Sequence, residues 1–137
     1  MHIEIQGPLL VGNEIIDGDH KELASLINAF YDSVEAGADR QKIYDEVDTL
    51  SLRFAEHMDK EKAMIAKYRF PDAENHLAEH TKLLGELGGF LYRVDEANDN
   101  DLPNVARFID NWFTSHIITS DAKIAKFLND QENKATR

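Results

Sequence analysis

Between residues 40 and 68 the positions Ile43, Val47, Leu50, Phe54, His57, Glu61, Met64 and Tyr68 alternate steps of four and three without a miss. That rhythm marks the inward face of one long helix. A histidine and a glutamate sit in the middle of it. A chain that puts such groups on the face it must bury has to satisfy them inside its core, because an unpartnered buried polar or charged group is costly.

Three further segments share the pattern, separated by turn signals at Glu35-Ala-Gly-Ala-Asp-Arg40, Arg69-Phe-Pro-Asp72 and Asp95 to Pro103. The first, about 17 to 36, reads His20, Leu23, Ile27, Phe30, Val34, with Asp17 or Asp19 as N-cap and Glu22 in the first turn. The third opens at Pro71, a favoured first helical position, and reads His76, His80, Leu83, Leu87, Phe90, Val94. The fourth follows Leu102-Pro103 and reads Val105, Ile109, Trp112, His116, then Asp121, Ile124, Leu128. The five-residue step from His116 to Asp121 is one too long for a regular helix. It predicts a local insertion of the π-bulge kind, a feature common at functional sites.

Four helices joined by short connections predict an all-α, up-down-up-down antiparallel four-helix bundle. At 137 residues the expectation is a single domain over 1–137, with an N-terminal arm over about 1–16 and a frayed tail over about 131–137. Gly85, Gly88 and Gly89 in the third helix suggest either a close helix approach or a tolerated weak helix end.

The net charge of -11 surrounds the chain with a negative field that repels nucleic-acid phosphates and anionic lipid. No nucleic acid and no membrane insertion are expected: no run is long enough to span a bilayer, and Met1-His-Ile-Glu-Ile5 lacks the look of a signal peptide. A cytoplasmic location is the simplest expectation. With no cysteine, any metal must be held by imidazole and carboxylate.

A lone inward histidine is more often a hydrogen-bonded core residue than a ligand. Pairs change that reading: His57 and Glu61, and His76 and His80, are each four apart, so each pair shares one helix face. With His20, His116 and Asp121 they make seven inward donors, more than one metal needs. Five imidazoles divide as three plus two, leaving one metal open to a small ligand. The donor set suits iron, zinc or manganese. His2 lies off every stripe and is read as a terminal surface residue.

The motifs Ile16-Asp-Gly-Asp-His20, His57-Met-Asp-Lys-Glu61, His76-Leu-Ala-Glu-His80 and Trp112-Phe-Thr-Ser-His116-Ile-Ile-Thr-Ser-Asp121 together resemble those of the bacterial hemerythrins, nearly end to end. The resemblance implies two iron ions (Fe2+/Fe3+) with a bridging oxo or hydroxo oxygen. His76, His80 and His116 would hold one iron and His20 and His57 the other, with Glu61 and Asp121 bridging. It further implies reversible end-on binding of dioxygen at the two-histidine iron. Reversibility asks for a dry pocket, for which Leu23, Phe54, Trp112, Phe113 and Ile117 are wall candidates. Phe113 stands where the family commonly has a smaller aliphatic residue, which bears on oxygen access and autoxidation.

The function so implied is oxygen transport, storage or delivery, without enzymatic turnover and with an unknown protein partner. The competing readings are a di-iron redox enzyme acting on peroxide, dioxygen or nitric oxide, and an oxygen or redox sensor. An iron buffer predicts exchangeable metal, and a structural zinc bundle would be colourless.

Overall fold

The computed structural model describes residues 3–96 and 102–135. Four helical rods carry the chain: α1 (Glu14–Glu35), α2 (Arg40–Tyr68), α3 (Ala73–Glu96), and a fourth rod that joins α4 (Leu102–His116), a π-helical segment (Ile117–Asp121) and α5 (Ala122–Ala135). A 3-10 turn at Gly7–Leu9 precedes them, and no strand occurs among the described residues. α2 packs against α1 and α3, α1 packs against α4, and α5 touches α2. This is the expected four-helix bundle. No described helix is long and apolar enough to cross a membrane.

The rods start and stop where the backbone finds local partners. α1 begins three residues ahead of the expected position, because Asn13 caps it: its side-chain oxygen accepts from the amides of Ile15 and Ile16. Asp17 therefore lies inside the helix rather than at its cap. Its carboxylate turns back to accept from the amides of Val11 and Gly12 at 2.9 and 3.1 Å, which fixes the arm over the helix start. Asp19 is no cap either, and its partner is described below.

α1 closes with paired bonds, Gly37 N–H to Val34 and Ala38 N–H to Ser33, and Gly37 supplies the left-handed turn at φ 69°. α2 is capped by Asp39, whose side chain accepts from Lys42 N–H. It ends on Arg69, a non-glycine residue in the left-handed region at φ 54°. Pro71 does not open the third rod. It sits second in a turn closed by Ala73 N–H to Phe70 at 3.3 Å, where its fixed φ suits the turn equally well, and α3 starts at Ala73.

The apolar core falls into two clusters. The larger includes Leu23, Ile27, Phe30, Val47, Leu50, Phe54, Leu83, Ile109, Phe113 and Ile117; the smaller is built on Ile16, Ile65, Ile124, Ala125 and Leu128. On each rod a polar residue of the inward stripe separates them: His20 between Ile16 and Leu23, Glu61 between Phe54 and Ile65, His80 between Leu77 and Leu83, Asp121 between Ile117 and Ile124.

The three glycines of α3 do not mediate a close approach, since an added Cβ at Gly85, Gly88 or Gly89 would meet nothing within 4 Å. The side chains of Leu87, Phe90 and Val94, the His2 position, residues 97–101 of the third turn and residues 136 and 137 of the tail lie outside the described residues. α5 itself continues to Ala135, past Gln131 where fraying was expected.

Candidate metal centre

All seven donors singled out in the sequence converge at the seam between the two apolar clusters, and none is more than 8% exposed. α1 contributes His20, α2 His57 and Glu61, α3 His76 and His80, and the fourth rod His116 and Asp121. They form two groups with a shared member: His76, His80, His116 and Asp121, and His20, His57, Glu61 and Asp121, with the donor atoms of each group within 4.8 Å of one another.

Both carboxylates straddle these groups. Glu61 Oε2 lies 2.5 Å from His57 Nε2, while its Oε1 lies 2.6 Å from His76 Nε2 and 3.3 Å from His80 Nε2. Asp121 Oδ2 lies 2.7 Å from His20 Nε2 and 3.8 Å from His57 Nε2; its Oδ1 lies 3.0 Å from His116 Nε2 and 3.4 Å from His76 Nε2. Every histidine thus turns Nε2 inward, and each carboxylate offers one oxygen to each side.

Hydrogen bonds account for only part of the crowding: His20 Nε2 pairs with Asp121 Oδ2 and His76 Nε2 with Glu61 Oε1. His57 Nε2, Glu61 Oε2, His80 Nε2, His116 Nε2 and Asp121 Oδ1 are buried and have no hydrogen-bond partner. Leaving such an atom unsatisfied costs about 1–3 kcal/mol each, and more when it is charged. Lone pairs that close to within bonding range yet miss one another in angle aim at common points. Imidazole and carboxylate at those points fit cations of the iron, zinc or manganese kind.

The electrostatics of the bare donors agree. Burial pushes Glu61 up, as does Asp121 beside it, but the imidazoles of His57, His76 and His80 set against its two oxygens win and hold it far below the usual carboxylate range. Asp121 follows the same logic: burial raises it, and the close imidazoles of His116, His20 and His57 hold it well down. Burial alone would lower His57, yet the carboxylates of Asp121 and Glu61 raise it to about 11. His116 is raised by Asp121 against the same opposition. Two carboxylates are thus ionised in the core, and they demand positive charge there.

The expected helix distortion is present between His116 and Asp121. Ala122 N–H bonds to Ile117 C=O, five residues back, and Ile117–Asp121 is one π turn. The extra residue lets positions five apart share a face, so Asp121 reaches the donors while Ile124 and Leu128 stay inward.

Two carboxylates outside this set were missed in the sequence. Asp19 Oδ2 accepts from His57 Nδ1–H at 2.9 Å and its Oδ1 accepts from Lys60 Nζ at 3.1 Å. Glu79 lies 3.2 Å from His116 Nδ1 and accepts from Ser120 Oγ at 2.5 Å. No spacing along the chain signals the first, whose partner is 38 residues away. Glu79 sits one residue before His80, and only its position beside the π turn brings it to His116.

Of the wall candidates, Phe113 packs edge-on against the His20 ring at 5.7 Å and against Phe54 at 5.6 Å. Leu23, Phe54 and Ile117 are buried in the same cluster. Trp112 behaves differently: half-buried, it stacks flat on His116 at 4.7 Å and 13°. It covers a histidine of the three-histidine group and also meets Phe54 edge-on at 6.1 Å.

The model of the hemerythrin HHE cation binding domain matches residues 11–128. A bacteriohemerythrin of Methylococcus capsulatus is 28% identical over 103 residues, covering 74% of this chain and 76% of that protein. A hemerythrin-like protein of Naegleria gruberi is 29% identical over 113 residues, covering 82% of each chain. Among solved structures, wild-type hemerythrin superposes with a TM-score of 0.78 at 23% identity, covering 93% of this chain and 97% of that one. A leucine-to-alanine variant of hemerythrin gives 0.80 at 23% identity, covering 93% and 98%. At these identities the structural likeness speaks to the fold.

Proposed function

The chain belongs to the hemerythrin family, and from that premise we propose that it binds dioxygen reversibly at a non-haem di-iron centre, as a carrier, store or delivery protein. In this reading His76, His80 and His116 would hold one iron, His20 and His57 the other, and Glu61 and Asp121 would be shared between the two. The observation that carries it is the division of each buried carboxylate between two donor groups, one oxygen to each. A ligand count of three imidazoles against two leaves the second position open to a small molecule.

A di-iron centre held by these residues would supply reversible two-electron chemistry towards dioxygen. The protein's own part is to keep water and free protons out while that happens. Phe113, Leu23 and Ile117 wall the two-histidine side with apolar surface, each 2% exposed or less. His57 is held in one tautomer by Asp19, which keeps its Nε2 lone pair inward. Five neutral imidazoles with only two carboxylates stabilise high-valent iron less than carboxylate-rich sites do, which favours binding over oxidation.

The test is metal content and visible spectra of one purified sample, reduced without air, exposed to air, then returned to argon. Two irons per chain with a colour that appears and reverses is the expected result. Two irons that oxidise once and stay oxidised would replace this reading with a redox enzyme or sensor, and colourless zinc or exchangeable iron would overturn it.

A further inference from the structure

The two halves of the centre are not supported alike from behind. On the two-histidine side His20 Nδ1 is buried and without a hydrogen-bond partner, so His57 is the histidine there with a carboxylate at its back. On the other side His80 Nδ1 likewise has none, and His116 faces Glu79. The two carboxylates differ in setting. Asp19 is 15% exposed and Glu79 is 51% exposed, so water screens Glu79 far more.

Asp19 is also held at both oxygens. One accepts from His57 Nδ1–H, the other from Lys60 Nζ, and Lys60 follows His57 by one turn of α2. Lys60 is 56% exposed at the mouth of a narrow surface cleft that Asp19, Arg53 and His57 also line. A carboxylate accepting from a ligand histidine fixes the ring's orientation and makes its other nitrogen a stronger donor. A cation on that carboxylate's far oxygen draws charge away and tempers the effect.

We propose that Asp19 is the positioning residue of the two-histidine half, fixing His57 and strengthening it as a ligand, and that Lys60 sets how strongly Asp19 acts. The inference rests on the metal-centre reading above. It assigns the pair a graded, surface-adjustable control over one metal position, exerted through His57 and stronger than the screened Glu79 exerts on His116 in the other half.

Cobalt(II) serves as the probe, titrated against a competing chelator into the metal-free protein, with Asp19→Asn and Lys60→Met compared to the parent. The parent should take two ions. Asp19→Asn should weaken one of them by roughly 10- to 100-fold and leave the other within twofold, while Lys60→Met should weaken neither. In the iron-loaded proteins the midpoint potential should move up in Asp19→Asn, which loses negative charge beside His57, and down in Lys60→Met, which unmasks it.

A packing role alone would move both potentials the same way, and that result overturns the inference. So does Asp19→Asn binding both ions like the parent, or losing both equally. Should Asp19→Asn fail to fold, Lys60→Met, altered at an exposed side chain, decides by the sign of its shift. A parent that binds fewer than two ions overturns the metal-centre reading itself, and this inference with it.

Discussion

Replacing Phe113 by leucine tests how the wall of the two-histidine side is held. The Phe113 ring is 1% exposed and meets two rings edge-on, His20 at 5.7 Å and 83° and Phe54 at 5.6 Å and 79°. Such aromatic pairs contribute about 0.5–1.5 kcal/mol each beyond the area they bury. Leucine retains most of the apolar burial but neither ring contact, so the variant should lose about 1–3 kcal/mol. For a chain of 137 residues the unfolding entropy is about 0.29 kcal/mol/K. The thermal midpoint of the metal-free protein should therefore fall by about 3–10 °C. Calorimetry of the metal-free pair measures this. In the iron-loaded pair, stopped-flow oxygen release and the rate of autoxidation should both rise, because the smaller side chain loosens the wall beside His20. A midpoint within about 1 °C of the parent would refute the ring-contact argument, and unchanged rates would remove Phe113 from the wall.

Two further outcomes follow from other parts of the molecule. His57 carries its proton to about 11 in the metal-free protein, above its unfolded value near 6.5, so its contribution to stability is full below pH 6.5 and is lost as pH rises towards 11. Iron needs the neutral ring, so between about pH 6.5 and 8.5 metal affinity should rise while metal-free stability falls; denaturant titrations and chelator competition at matched pH would show the opposing trends, and parallel trends would contradict the assignment. Arg69→Gly should stabilise the protein by about 0.5–1 kcal/mol, since a glycine adopts the left-handed φ of 54° without the penalty a side chain incurs there; an unchanged denaturation midpoint would mean that the arginine's own contacts offset that strain.

Much of the centre was legible because helical geometry converts spacing into direction. Steps of four and three place His57 with Glu61 and His76 with His80 on buried faces, and the structure keeps each pair there. Even the π turn was legible, because a five-residue step between inward residues matches the i to i+5 bond of a π turn and breaks the 3.6-residue period. What escaped depends on contacts between rods. Asp19 looks like a cap beside Asp17, and only the packing of α1 on α2 turns it to His57. Asn13 was hidden inside the expected arm, although Ile15 and Ile16 directly after it carry the amides it accepts from. Trp112 fell on the inward stripe but rotates onto His116, a side-chain choice that periodicity along the chain does not encode.

The division of the interior into two oily regions has a mechanical meaning. Among the described residues the larger region and the smaller one are separated by a layer of ionisable groups, bridged beside it by Val11, and that layer draws a member from every rod. Carboxylate and imidazole attract one another in this layer, but its unmatched buried lone pairs weaken it while it stands empty. A multivalent cation clasped by donors from all four rods would act there as a rivet, fastening top to bottom as well as rod to rod. Filling the centre would therefore do more than equip the protein to meet a small molecule; it would tie the two oily regions together so that they come apart as one.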